Sequence, residues 1–265
     1  MDINEELFNR LCKNLDNFSS LSEIRGYLKG VDDCLFLLEE KGRNISPKKS
    51  LSDYTWEEII EISQSGVPEQ YFTLGDTKNF VLGKQYIYTA QIVGFHHDDL
   101  TDDFGKAGIS FAIRGCSEKR VINYLPSNEG GWEISSIRDY LNKDIFEKMP
   151  KGLREAIKPV RKVTAEGNVS EPLNIITSDR IWLFSEREVL GDEMGFSVDG
   201  EGEQYAFFKE KENRKKCLGK DLCHWWLRSS AKHNGSSFCF INSKTGGSFY
   251  HEANYSYGIV WGFAI

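Results

Sequence analysis

The sequence predicts an α+β protein with small antiparallel sheets, two or more flanking helices and an additional N-terminal helical segment. Two observations predict it. Apolar residues recur at helical spacing near the start of the chain, and short β-branched or alternating runs separated by turn residues dominate its later part. With 265 residues, 40% of them apolar and 28% charged, there is enough apolar area for one large domain with a small addition. The expected division is a helical segment and linker over residues 1–50 and a main domain over residues 51–265.

The elements follow in chain order. Leu7, Leu11 and Leu15 share four-residue spacing, and Ile24, Leu28, Val31 and Leu35 follow at intervals of four, three and four. Residues 1–41 therefore read as a helical hairpin. It is too small to hold a core alone, so self-association through residues 1–41 is one expected use. Residues 42–49 read as a linker. Thr55 caps a helix running to about Gln64, with Glu57 and Glu58 in its first turn, where the helix dipole favours negative charge. Gly66-Val67-Pro68 stops it. Strands are expected over residues 85–95 and 108–113. Ser135 caps a second helix, a third apolar-periodic stretch covers residues 152–157, and residues 160–165 and 180–184 are strand-like. Ser185 to Glu188 suggests a short helical turn, residues 191–203 a Gly- and Glu-rich loop, and Gly200-Glu201-Gly202 within it a mobile stretch. Residues 225–228, 237–241, 248–250 and 259–263 close the chain as short strands.

Composition excludes several functions. The net charge of -7 opposes binding to phosphate backbones, and the basic runs at residues 158–162 and 209–220, mixed with Glu, read as solvated surface. No nucleic-acid partner is expected. No stretch approaches the roughly 18 apolar residues of a membrane span. The acidic start lacks the basic-then-apolar order of a signal peptide, so a cytoplasmic location as synthesised is expected. The six cysteines, at 12, 34, 116, 217, 223 and 239, include no Cys-x-x-Cys pair and read as buried free thiols. No nucleophile elbow, phosphate-binding Gly-Lys-Ser loop or His-Glu-x-x-His motif is present. No cofactor and no catalytic residue is expected.

His96-His97-Asp98-Asp99, with Asp102 and Asp103, is the densest set of metal-ligand side chains. Adjacent residues of an extended segment point to opposite sides, however, and the spacing fails the calcium-loop pattern. It reads as a polar turn. The tail is different: of the 30 residues from 229 to 258, 19 are Ser, Gly, Asn, Tyr or His, around the apolar Phe238-Cys239-Phe240-Ile241. Tyr supplies contact area at low entropy cost, while Ser, Asn and Gly adapt their hydrogen bonds, the mixture used by antibody paratopes. The same residues also make turns.

The order of motifs adds a resemblance. Gly131-Trp132-Glu133-Ile134-Ser135-Ser136-Ile137-Arg138 with Tyr140-Leu141-Asn142 is followed by Asp179-Arg180-Ile181-Trp182-Leu183-Phe184-Ser185. Later come Trp225-Trp226-Leu227-Arg228-Ser229, Phe238-Cys239-Phe240-Ile241-Asn242 and Gly258-Ile259-Val260-Trp261-Gly262-Phe263. Over about residues 55–265 this resembles C-type-lectin-like domains of bacteria and prophages that are related to formylglycine-generating enzymes. Some of these are the variable proteins of diversity-generating retroelements, in which template adenines are mutated on transfer into the 3′ end of the gene.

The resemblance implies a non-enzymatic protein that recognises a protein or other macromolecular ligand through a hypervariable surface at about residues 229–261. That surface would comprise Lys232, His233, Asn234, Ser236, Ser237, Asn242, Ser243, Lys244, Ser248, Tyr250, His251, Asn254, Tyr255 and Tyr257, with Trp261 at its edge. Phe238, Phe240, Gly246, Gly258, Gly262 and Phe263 would be fixed scaffold. Carriage on a phage particle would bring it to an external target. The Glu-Pro-Asn and Trp-Asn-Asp calcium ligands of sugar-binding lectins are absent, Ser170-Glu171-Pro172-Leu173 being a partial echo. Alternatives are a copper-thiolate oxidase using Cys223 and Cys239, and an undiversified prophage structural or accessory module.

Overall fold

A computed structural model describes residues 49–101, 105–167 and 173–265. The chain divides into two units between Lys49 and Ser50. The expected N-terminal helices, Cys12, Cys34, the self-association segment, Asp102, Asp103 and Ser170 to Pro172 lie outside the described residues.

Helix α1, Trp56–Gln64, starts where Thr55 accepts a hydrogen bond from the Glu58 N–H while the Glu58 carboxylate accepts from the Thr55 N–H. Two orphan donors of the first turn are thus satisfied reciprocally. The helix turns Trp56 onto Phe80, Phe111 and Phe263, with ring centroids at 6.4, 5.8 and 6.5 Å.

Strands β1 (Thr77–Leu82) and β2 (Tyr86–Phe95) form a hairpin closed at Leu82↔Tyr86. Strand β3 (Ile109–Ile113) pairs antiparallel with β2 and is buried at every residue. After the short β4 (Lys119–Arg120), helix α2 begins at Ser136–Tyr140 with Ser135 as its cap. It widens into a π turn over Leu141–Ile145 and finishes at Phe146–Lys148. Helix α3 (Lys151–Ala156) leads to the hairpin of β5 (Val160–Ala165) and β6 (Asn174–Asp179), followed by β7 (Trp182–Leu183). Helix α4 (Glu186–Leu190) is capped by Ser185 through a reciprocal pair with Glu188, as Thr55 and Glu58 cap α1.

Helix α5 (Lys211–Arg214) and the small hairpin of β8 (Cys217–Leu218) and β9 (Asp221–Leu222) precede the final strands. These are β10 (Trp225–Ser230), β11 (Ser237–Ile241), β12 (Ser248–Glu252), β13 (Tyr257–Gly258) and β14 (Trp261–Ala264). One sheet has the order β1-β2-β3-β14-β7 and the other β12-β11-β10-β13-β4. Among the described residues every strand pairing is antiparallel except the contact of β10 with β13. The expected mixed α+β class with small antiparallel sheets is therefore present, and β1, β4, β6, β8, β9 and β13 are additions to the sequence reading.

The long motifs have mechanical roles. The Trp132 indole N–H donates to Asp179 at 3.0 Å, and the Arg138 guanidinium binds the other oxygen of the same carboxylate at 2.6 Å. Asn142 accepts from the Arg180 and Ile181 N–H groups. Helix α2 is thereby pinned to the end of β6. The Trp225 and Trp226 indoles donate to the Arg214 and Arg120 carbonyls, both at 2.9 Å, so burying two large rings on β10 leaves neither N–H unpaired.

Two sequence expectations are corrected. The basic runs are not simply solvated, because Lys162, Arg214 and Lys216 are buried. Arg214 reaches the Phe208 carbonyl and Glu193. The Gly200-Glu201-Gly202 stretch is anchored rather than mobile: Glu201 is wholly buried and accepts from the Ala165 N–H and the Ser229 hydroxyl.

Candidate functional site

The second sheet carries the site. Its register places Phe240 opposite Phe249, Phe238 opposite His251 and Cys239 opposite Tyr250. Because side chains alternate across a strand, Phe249 and His251 share one face with Phe238 and Phe240. Tyr257 closes that face, with its ring 4.4 Å from Phe240 and 4.9 Å from Trp226. Tyr255 lies 4.8 Å from Tyr257 and 4.2 Å from His251. His224 completes the cluster, 5.7 Å from Phe240 and 5.8 Å from Tyr257. At the sheet edge, Phe196 contacts both Phe249 and Tyr250.

This cluster grades from buried to exposed. Trp226 and Phe238 are sealed, whereas Phe249, Tyr250 and Tyr255 are 47%, 46% and 48% exposed. Large aromatic side chains left half in water beside polar neighbours make a contact surface. Two turns frame it. In the β10–β11 turn, His233 adopts φ 61°, Asn234 accepts from the Ser236 N–H and hydroxyl, and Lys232 donates from its backbone to the Phe196 carbonyl at 2.7 Å. In the β11–β12 turn, the Asn242 side chain accepts from the Lys244 N–H, and Gly246 takes φ 74°.

Of the sequence-derived surface residues, Lys232, His233, Lys244, Tyr250, Asn254 and Tyr255 are exposed, and Asn234, Ser236, Asn242, His251 and Tyr257 are half-buried. Four are not surface residues. Ser237 is buried in β11. Ser243 donates to the Cys223 carbonyl at 2.6 Å and accepts from the Lys216 N–H. Ser248 is bonded to the buried carboxylate of Glu186. Trp261 is wholly buried in the first sheet, against Phe80, Tyr88 and Phe263. Composition marked these because Ser resembles a contact residue in any setting; pairing register decides which Ser faces inward. The expected scaffold residues Phe238, Phe240, Gly246, Gly258, Gly262 and Phe263 are all buried. Phe249 is the contact residue that sequence reasoning missed, since an apolar residue in a strand reads as core.

Behind the sheet lies a buried ionic network. Arg228 on β10 holds Glu188 through both guanidinium nitrogens and also donates to Thr164 and the Leu183 carbonyl. Lys162 bridges Glu188, Asp98 and the Tyr205 hydroxyl. Burial raises the Asp98 carboxyl, but the Lys162 ammonium beside it outweighs that and brings it to about 2. Burial likewise opposes ionisation of Glu188, and Arg228 and Lys162 reverse the balance, so its pKa is lowered. Glu201 has weaker compensation, and burial pushes it up to about 7. Glu186 accepts from the Gly195, Phe196 and Ser197 N–H groups, fixing the segment that carries Phe196.

The histidine–aspartate segment disperses. His96, at φ 48°, faces Glu69 at 3.3 Å, whereas His97 stacks on Tyr205 at 3.7 Å. Asp98 points into the ionic network and Asp99 pairs with Lys106. The turn is thus partly structural core. Among the described residues, no group of three or more His, Cys, Asp and Glu converges to hold a metal.

The cysteines also depart from expectation. Cys116, Cys223 and Cys239 are buried free thiols, but Cys217 is exposed. Cys223 and Cys239 are not brought together. Trp225 pairs with Ile241 and the Cys223 carbonyl bonds to Ser243, four residues along from Cys239, or about 13 Å at the rise of a strand. Cys223 instead meets Cys116.

The sequence profile of a family described as Domain of unknown function (DUF6273) matches residues 95–261. No curated protein and no solved structure matches the chain.

Proposed function

The chain belongs to the DUF6273 family over residues 95–261, a span that includes the whole aromatic face, and we propose that it is a recognition protein rather than an enzyme. It binds a protein or other macromolecule through the face around Phe249, Tyr255 and Tyr257, with Tyr250 on the other side of the edge strand β12. The observation that carries this reading is the half-exposed aromatic cluster, set on a rigid sheet and framed by two polar turns. Aromatic anchors ringed by adaptable polar groups concentrate binding energy at the centre of interfaces. The buried ionic groups behind it are already paired with one another, which supports a structural use for them.

The proposal extends to the scaffold: a C-type-lectin-like domain whose exposed tail positions are diversified by a retroelement. The division of the tail into sealed framework and exposed positions supports this, since exposed sites accept substitution at little cost. The diversified set then excludes Ser237, Ser243, Ser248 and Trp261.

The gene locus and its variants test both parts. The expected finding is a nearby near-copy of the tail-coding segment beside a reverse transcriptase gene, with changes at Lys232, His233, Lys244, Tyr250, Asn254 and Tyr255 and none at the four buried positions. A complete locus with neither element removes the retroelement. Recognition is tested separately by display of the domain with those six positions randomised, selected against a panel of purified bacterial surface proteins. Binders that lose affinity on Phe249→Ala or Tyr257→Ala support the face; binders indifferent to both overturn it.

The described residues include no helix long and apolar enough to cross a membrane.

A further inference from the structure

We propose that Cys116 and Cys223 form a reversible dithiol–disulfide pair, a redox modification site built beneath the aromatic face. The inference does not depend on the recognition reading. Cys116 follows β3 and Cys223 precedes β10, far apart in sequence, yet the two sulfurs converge on the same point beside Gly258. The Cys116 thiol also reaches the Cys223 carbonyl at 3.8 Å. Gly258 makes the approach possible. A Cβ on Gly258 would stand 2.8 Å from the Cys223 sulfur and closer still to that of Cys116. Both sulfurs therefore converge on the one position in β13 where any side chain would wedge them apart.

The surroundings hold the pair in register. The Cys116 N–H donates to the Cys217 carbonyl and the Cys223 N–H to the Lys216 carbonyl, both at 2.9 Å. The Gly258 N–H donates to the His224 carbonyl at 2.8 Å. Strands on three sides are thus fixed by backbone bonds, and closing the disulfide joins two sulfurs that already flank one point. The hydrogen bond from Cys116 also favours the thiolate of Cys223, assisted by the Lys119 charge, whereas the same contact and burial raise Cys116. Cys223 is accordingly the attacking sulfur and Cys116 the resolving one.

The oxidant is a low-molecular-weight disulfide. The Cys223 thiolate attacks one of its sulfurs, forming a mixed disulfide and expelling one small thiolate. Cys116, giving up its proton, then attacks the Cys223 sulfur and expels the second small thiol. Two protein thiols and one disulfide become one protein disulfide and two small thiols. The product ties the chain at positions 107 residues apart, directly behind His224 and Tyr257 of the aromatic face. Closing so long a loop restricts the unfolded chain strongly.

The experiment uses the full chain and oxidised glutathione, followed by trapping of free thiols under denaturing conditions and tryptic mapping. Cys116, Cys217, Cys223 and Cys239 fall on separate peptides, spanning residues 115–119, 217–220, 221–228 and 233–244. The expected result is one cross-linked species of 115–119 with 221–228, removed by dithiothreitol, and a melting temperature raised by several degrees while the bond is present. Cys116→Ser should instead accumulate glutathione on Cys223. Overturning results would be a persistent glutathione adduct on wild-type Cys223, a cross-link of 221–228 to any other peptide, or full trapping of both thiols after oxidation.

Discussion

Arg228 and Glu188, both wholly buried, form a two-point ion pair that fastens β10 to helix α4. The same carboxylate caps its own helix through the Ser185 N–H and receives Lys162 from β5. Three elements therefore meet on one side chain. Removing Glu188 takes from Arg228 its ion-pair partner and leaves Lys162 with Asp98 alone. Glu188→Ala should destabilise the domain by about 3–5 kcal/mol, the usual cost of breaking a buried pair. Chemical denaturation measures this, and a loss below about 1 kcal/mol would contradict the assigned role.

Glu201 gives the protein a pH signature. Its carboxyl is raised from 4.5 to about 7 by burial, so the folded chain keeps a proton that the unfolded chain releases. Its contribution to stability is complete below about pH 4.5 and is lost as pH rises through 7. Glu201→Gln mimics the protonated group and its hydrogen bonds. The melting temperature of Glu201→Gln relative to wild type should rise from pH 4.5 to 7, with a difference on the order of 3 kcal/mol at neutral pH. A pH-independent difference would refute the assignment.

Asp98 has the opposite sign. Its carboxyl is lowered from 3.8 to about 2 beside Lys162. The stability it supplies is present above about pH 4 and disappears between pH 4 and pH 2. Asp98→Asn should melt lower than wild type at pH 5 and approach it at pH 2; parallel pH curves would count against the ion pair.

Framework and contact residues separate under truncation. Trp261→Ala should cost about 3–5 kcal/mol, as for other sealed aromatic residues. Tyr255→Ala, at 48% exposure, should cost about 1 kcal/mol or less. Equal effects in thermal melts would mean that the proposed surface is part of the core.

Gly258→Ala should destabilise by about 1–3 kcal/mol through overpacking, because the new methyl group meets two sulfurs and has no flexible neighbour to displace. Guanidinium unfolding checks it, a neutral effect being the adverse outcome.

Much of the fold is legible in local signals. Thr55, Ser135 and Ser185 mark helix starts because capping is a matter of three or four adjacent residues. Strands β2, β3, β5 and β11 are legible in β-branched or apolar runs. Strands β1 and β6 are not, because Lys78, Asn79, Asn174 and Ser178 lie on exposed or half-exposed faces and look like loop residues. The site divides the same way. Aromatic and polar enrichment locates the face, but register assigns Ser237, Ser243 and Ser248 to the interior. Cys116 and Cys223 are joined only by tertiary packing, which spacing along the chain does not encode. The acidic and basic pairs of the core escaped for the same reason, since Lys162 in a strand reads as surface until Asp98 and Glu188 are placed beside it.

The position of β14 bears on how the domain is made. β14 pairs between β3 and β7, so a strand synthesised late supplies the partner that β3 needs. Until it emerges from the ribosome, the Ile109–Ile113 segment, buried throughout in the folded domain, presents unpaired peptide groups along one edge. Such an edge is sticky. Nascent chains thus pass through a long interval in which chaperone shielding matters, and translation stalled before Trp261 yields an aggregation-prone polypeptide in place of a smaller folded one.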